Sequence, residues 1–321
     1  MLEWVHGLND QFFRFVTRGP VWGHVAAYLP LGCLVGAFLA WWSQRLVNRE
    51  SAGTRRLTRG ALAMIVVGTA LLFPAFVLAV IHGNCQSLVE GGSIDWAQWR
   101  ILYQQTLLAL LVVATVVDFD QYLIPDQITV SGMAIGLVAA TALGNLHLMP
   151  VWVDWNHADP IAGPYIPEWI KQSPHGHGLV FSLAGLLTGG GLTWLVRSIS
   201  QAILGVEALG FGDVTLMAMI GSFVGWQPML FVIFIAPMCG VLMGVSGRLL
   251  YGRRAIPFGP YLSAATLVVL LTWRWLWPPT RDLFGHAPTL AALGVLMACG
   301  LAVLLWLLRL YRSIPVARRE E

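Results

Sequence analysis

Acidic side chains are scarce in this chain, 16 Asp and Glu in 321 residues. Two groups of them stand where apolar sequence makes them costly. Asp118 follows directly on the apolar run Leu107–Val117, and Asp120 and Asp126 come soon after. Pro125 should stop a helix after Ile124 and open a turn into Asp126. Far along the chain, Asp213 closes the stretch Gly210-Phe211-Gly212-Asp213 and stands directly ahead of another apolar run. A carboxylate near bilayer depth is expensive and usually faces a bundle interior or water. Two carboxyls held close cannot both ionise easily, so they share a proton. The ionised one can then take a proton from water as general base, while its protonated neighbour polarises a carbonyl. That is the chemistry of aspartic proteolysis; it needs no metal, and no Ser/His or Cys/His nucleophile is indicated. Gly210 and Gly212 are expected to let backbone approach closely and to adopt positive φ, leaving room for a substrate strand. Taken singly, each of these acids reads as well as an interfacial helix cap or a partner for a nearby Arg. The two groups matter together, because acids from distant segments at one depth and on one side can meet.

Those segments must be positioned by a membrane bundle. Of the residues, 57% are hydrophobic and 11% charged, against roughly 25% charged in a soluble domain. A soluble globular enzyme, a disordered chain and a free nucleic-acid binder are excluded, and no nucleic-acid partner is expected. Membrane lipid is the expected surroundings. With about 20 apolar residues needed per crossing, we read an all-α, polytopic transmembrane bundle of about nine spans: 21–44, 61–82, 100–117, 128–148, 179–200, 214–226, 229–246, 261–277 and 287–309. The sixth is short and leans on neighbours for cover. Residues 1–20, with Asp10, Arg14 and Arg18, read as an amphipathic lead-in rather than a cleavable signal peptide. Residues 21–277 form the membrane domain, and 278–321 an extra helix with a basic tail. Cys33, Cys85, Cys239 and Cys299 stand far apart, with no CxxC pair, and read as small apolar residues.

Basic residues orient the bundle. Arg45, Arg49, Arg55, Arg56, Arg59, Arg197, Arg248, Arg253, Arg254, Arg309, Arg312, Arg318 and Arg319 fall on one set of alternate loops, 13 of the 19 Lys and Arg. We assign that side to the cytoplasm. Both acidic segments fall there, and the chain runs from an outside N-terminus to a cytoplasmic C-terminus. Trp22, Trp152, Trp226, Trp275 and Trp277, near span ends, suit interfacial anchors. The long loop 149–178 holds Asp154, His157, Asp159, His175 and His177, but without regular ligand spacing, so it reads as a plain interfacial loop and no metal is expected.

At the acidic motifs the chain resembles the type IV prepilin peptidases, membrane aspartic peptidases that process prepilins and pseudopilins. The family pattern has an Asp seven residues before a Pro-Asp pair; Asp118, Leu123, Ile124, Pro125 and Asp126 fit it, and Thr129 matches a frequent Thr. A second pattern, a Glu followed by Gly-x-Gly-Asp, is met by Glu207, Gly210, Gly212 and Asp213. A third is the stretch Ile256–Leu262, containing Pro257, Gly259 and Pro260. A weaker fourth is Gly36–Leu39 with Arg45, similar to the family's first-helix stretch. The resemblance covers roughly residues 30–270. It implies that Asp118 and Asp213 are the catalytic pair, and that a short basic leader is cleaved after Gly on the cytoplasmic side of the inner membrane. Asp120, Asp126 and Glu207 could attract the basic leader, with Gly210, Gly212, Pro257 and Gly259 beside the substrate.

The departures carry expectations too. Bifunctional family members have a cytoplasmic insert with paired CxxC motifs after the first helix; here that loop is only about 45–60 and has no Cys. The insert is associated with methylation by S-adenosylmethionine, so that cofactor is not expected here, and proteolysis itself requires none. The family Lys two residues after the second Asp is Thr215, the first-helix Asn is Ala40, and the span 287–309 is additional to the usual eight. Presenilin-type peptidases also use Gly-x-Gly-Asp, but with a Tyr-Asp and a later Pro-Ala-Leu; here Val117 precedes Asp118 and no Pro-Ala-Leu follows. A proton-coupled transporter would also place acids in a bundle, but no inverted repeat is visible. An inactive scaffold of a secretion or pilus apparatus would keep the motifs without processing.

Overall fold

The computed structural model describes residues 14–15, 19–86, 97–159, 163–205, 207, 209–251 and 257–313. Most of the lead-in 1–20, together with Arg253, Arg254, Ile256, Arg318 and Arg319, lies outside them. The elements in order are α1 (Val21–Glu50), α2 (Arg59–Ile81), α3 (Ala97–Gln121), α4 (Asp126–Leu143), β1 (Asp154–Asp159), β2 (Gly163–Tyr165), α5 (Glu168–Gln172), α6 (Pro174–Leu204), α7 (Phe211–Val224), α8 (Trp226–Tyr251), α9 (Gly259–Leu276), α10 (Arg281–Phe284) and α11 (Ala287–Ser313). A helix stands at each of the nine expected positions, so the polytopic helical bundle is as expected, while the count of nine spans is not met. Among the described residues, seven helices are long and apolar enough to cross a membrane; α7 is too short, and α9 is not among the seven.

The core sits around α7 and α3. Ten of the fourteen α7 residues, Val214 and Leu216–Val224, are buried. A helix apolar on all sides survives only inside others, and α7 is packed by α4 and α6. At about 1.5 Å per residue its length is roughly 21 Å, short of a bilayer's hydrocarbon, so its cover comes from its neighbours. α1 pairs with α2, α9 packs on α8 and α3, and α11 lies on α6.

Two expectations are corrected. The segment 149–178 is not a plain loop: β1 and β2 pair antiparallel, α5 follows, and α6 already begins at Pro174. It is tied to the bundle, since Trp226 Nε1 donates to the Val151 carbonyl at 2.8 Å and Gln227 Nε2 to that of Pro150 at 2.8 Å. Among the described residues no group of His, Cys, Asp or Glu is arranged to hold a metal. Trp277 is no exposed anchor either. It is buried and stacks on Trp273 at 5.3 Å, whereas Trp22 and Trp275 are exposed.

Candidate active site

The segment carrying Asp118 is shaped by a turn that the helix ends impose. α3 runs on past the apolar stretch to Gln121 and stops at Tyr122, whose φ of +55° is left-handed, a strained state for a bulky residue. Residues 123–125 belong to no helix or strand, and Pro125 opens α4 in an extended conformation with φ −67° and ψ 134°. Asp118 is left on the last turn of α3, buried, with its Oδ2 accepting the Gly259 backbone N–H at 2.8 Å.

Asp213 sits in the first turn of α7, where a carboxylate favours the exposed N–H groups. Its Oδ2 accepts from the N–H of Gly210, the N-cap residue, at 3.1 Å. Neither glycine of this motif has positive φ: Gly210 is extended, with φ −68°, and Gly212 is helical. The close approach is internal to the chain, because a Cβ on Gly212 would stand 3.2 Å from Ile124 Cβ. The glycine therefore clasps the two acidic segments together rather than making room for a substrate strand.

Asp118 and Asp213 line one cleft of about 720 Å³, near enough for the charge of Asp118 to act on Asp213. Asp126, Gly210, Gly212 and Pro257 line the same cleft. Three other expected residues stand elsewhere. Asp120 points away from the cleft, with its carboxylate held by Gln121 Nε2 and its carbonyl by Arg55 at 2.8 Å. Glu207 pairs with Arg197 at 2.8 Å, outside the cleft. Gly259 touches Asp118 instead of lining the space, as an aspartate-holding residue. Sequence reading missed Arg49, Glu50 and Tyr122 as cleft residues; Arg49 had signalled only orientation. Arg49, Arg55 and Arg197 all gather at the end of the bundle that holds the carboxylates.

The Gly259 contact has a measurable consequence. A Cβ there would stand 2.6 Å from Asp118 Oδ2, so Gly259→Ala must displace the carboxylate or the turn. A hydrogen bond to a charged group contributes about 1.5–3 kcal/mol, so whatever activity depends on Asp118 is expected to fall ten- to a hundredfold with the melting temperature little changed. An unaltered rate would show that the contact is incidental.

Comparison with known proteins finds leader peptidases. A sequence model of the type IV leader peptidase family matches residues 168–245. The prepilin leader peptidase/N-methyltransferase of Aeromonas salmonicida is 30% identical over 176 residues, 54% of this chain and 50% of that protein. Its Pseudomonas putida counterpart is 27% identical over 227 residues, covering 69% and 62%. The type 4 prepilin-like proteins leader peptide-processing enzyme of Escherichia coli O78:H11 is 31% identical over 180 residues, covering 56% and 55%. The chain thus spans about half the length of the curated relatives it matches. No solved structure matches. Over the matched residues the chain is similar to the type IV leader peptidases.

Proposed function

We infer that this protein is a membrane aspartic endopeptidase that removes the short basic leader from type IV prepilins or pseudopilins. The observation that carries the reading is the cleft itself: carboxyls from positions 118 and 213, on different helices, line one space at the arginine-rich end of a bundle related to leader peptidases. That end is read as the cytoplasmic face of the inner membrane, by the bias of basic residues. One carboxylate accepts a proton from water, which attacks the scissile carbonyl; the protonated neighbour donates to the carbonyl oxygen. The tetrahedral species then collapses, with the C–N bond breaking, the amine leaving protonated and the leader keeping the new carboxyl group. No cofactor enters these steps. The relatives' names include N-methyltransferase, an activity not extended to this chain, whose α1–α2 connection, residues 51–58, holds no cysteine.

The test is leader removal from a prepilin coexpressed with the full chain in cells lacking their own peptidase. Mass spectrometry of the mature N-terminus should show the shortened, unmethylated product. A transporter or an inactive scaffold would leave the precursor whole. Leader selection should also separate the acids by place. Asp126→Asn, in the cleft, should weaken cleavage about threefold to tenfold by loss of a cation partner. Glu207→Gln, already paired with Arg197 in the open, should change it less than about twofold. The comparison is made on the rate at limiting substrate, and equal effects would remove Asp126 from leader binding.

A further inference from the structure

A second hollow, of about 700 Å³, opens between α2, α3 and α9 beside the cleft. The two spaces share a wall: Pro257 and Phe258 face the cleft, Pro260 faces the groove, and Gly259 between them holds Asp118. On α3 the groove runs from Asp120 to Leu108, and twelve positions at 1.5 Å per residue span about 18 Å. That is roughly the near half of a 30 Å hydrocarbon layer. Its lining is almost wholly apolar, apart from Thr69, the Thr115–Ser263 hydroxyl pair at 3.0 Å, and Asp120 at the mouth. Among the described residues Asp120 has no ion-pair partner.

We propose that this groove seats one face of the apolar helix that follows the leader in the substrate, with Asp120 at the mouth meeting cationic residues of the leader. The assignment rests on the peptidase reading above. The order of chemistry along the groove matches such a substrate, with a carboxylate at the interface, apolar walls deeper in, and the paired carboxyls just across the 257–260 turn. A phospholipid tail would fill apolar walls equally well, but its headgroup phosphate would then face the Asp120 carboxylate, with the Arg55 guanidinium already bonded to the Asp120 carbonyl at 2.8 Å. A chain leaving the groove toward the aspartates crosses the rim made by Asp118, Phe119 and that turn, which sets the scissile bond between the two spaces.

The full chain is reconstituted in phosphatidylcholine vesicles with a synthetic peptide carrying a basic leader ahead of about twenty apolar residues. A benzophenone amino acid replaces Met64 in the groove or, as control, Leu187 on the exposed face of α6. Photolysis from position 64 should label the peptide about tenfold more than from 187, and Asp120→Arg should remove that preference. Gly68→Trp, at a groove position with open space around it, should slow leader removal about tenfold without lowering the melting temperature. Lipid adducts alone from position 64, equal labelling from both positions, or an unplugged rate in Gly68→Trp would each overturn the proposal. Cleavage without the position-64 adduct defeats the groove alone. The adduct without cleavage by the unsubstituted chain defeats the peptidase reading and leaves the groove occupied.

Discussion

Replacing Asp118 with Asn is expected to abolish leader removal, and so is replacing Asp213. Each substitution keeps size and an acceptor oxygen, so the contacts from Gly259 and Gly210 can persist and the melting temperature should stay within a few degrees. What disappears is a titratable group. Positioned proton transfer contributes roughly 10²–10⁴-fold, and one carboxyl cannot serve at once as the base for water and the acid for the carbonyl. Each single variant should therefore lose at least about a thousandfold, and the double variant little more, since residues acting as a unit are not additive. Asp120→Asn, measured beside them, should leave the chemical step intact, because that carboxylate faces away from the cleft. The readout is single-turnover cleavage with saturating precursor. Processing by either Asn variant at a tenth of the normal rate or more would defeat the pairing of the two aspartates.

The contrast between Asp118 and Asp120 also shows what sequence could and could not reveal. Asp118, Pro125, Asp126 and the Gly210–Asp213 stretch were recognisable because chemistry and turn geometry demand those residue types, and they do face one space. Asp120 faces a different space from them for a geometric reason. The apolar run suggested a span ending at Val117, whereas α3 continues to Gln121. On a continuing helix two positions differ by about 200° around the axis, so the neighbouring acids face different spaces. The role of Gly259 was hidden because its partner lies 141 residues away. Such a contact leaves no local signal. The hairpin at 154–165 was hidden too, since Asp154–Asp159 shows no alternation of apolar and polar residues from which a strand could be read. The short α7 was legible in its essentials. A fourteen-residue helix that is apolar from Val214 to Val224 but for Thr215, Gly221 and Ser222 can be stable only within a bundle, and that is where α7 lies.

That burial carries the second large effect, on folding rather than chemistry. α6 and α7 cross with Gly185 against Gly221, and each glycine fills a place no side chain can share. A Cβ on Gly221 would stand 2.0 Å from the Gly185 carbonyl oxygen, and one on Gly185 would stand 1.9 Å from that of Gly221. The neighbours in both cases are helix backbone, which cannot swing aside as a flexible side chain can, so the helices must part. Close approach of backbones at small residues is a main source of helix association in lipid. Gly221→Ala is therefore expected to destabilise by about 3 kcal/mol, at the upper end of overpacking costs, and Gly221→Leu to leave no folded protein. On the same α6, Gly191 has open space where its Cβ would stand. There Gly→Ala should stabilise by about 0.5–1 kcal/mol, through the lower backbone entropy of the unfolded chain. Thermal unfolding of the detergent-solubilised variants reads both signs. Equal shifts at the two positions would mean that helix propensity, not the α6–α7 crossing, governs stability. Because α7 also carries Asp213, whatever Gly221→Ala protein remains folded should cleave more slowly than its folded fraction alone accounts for.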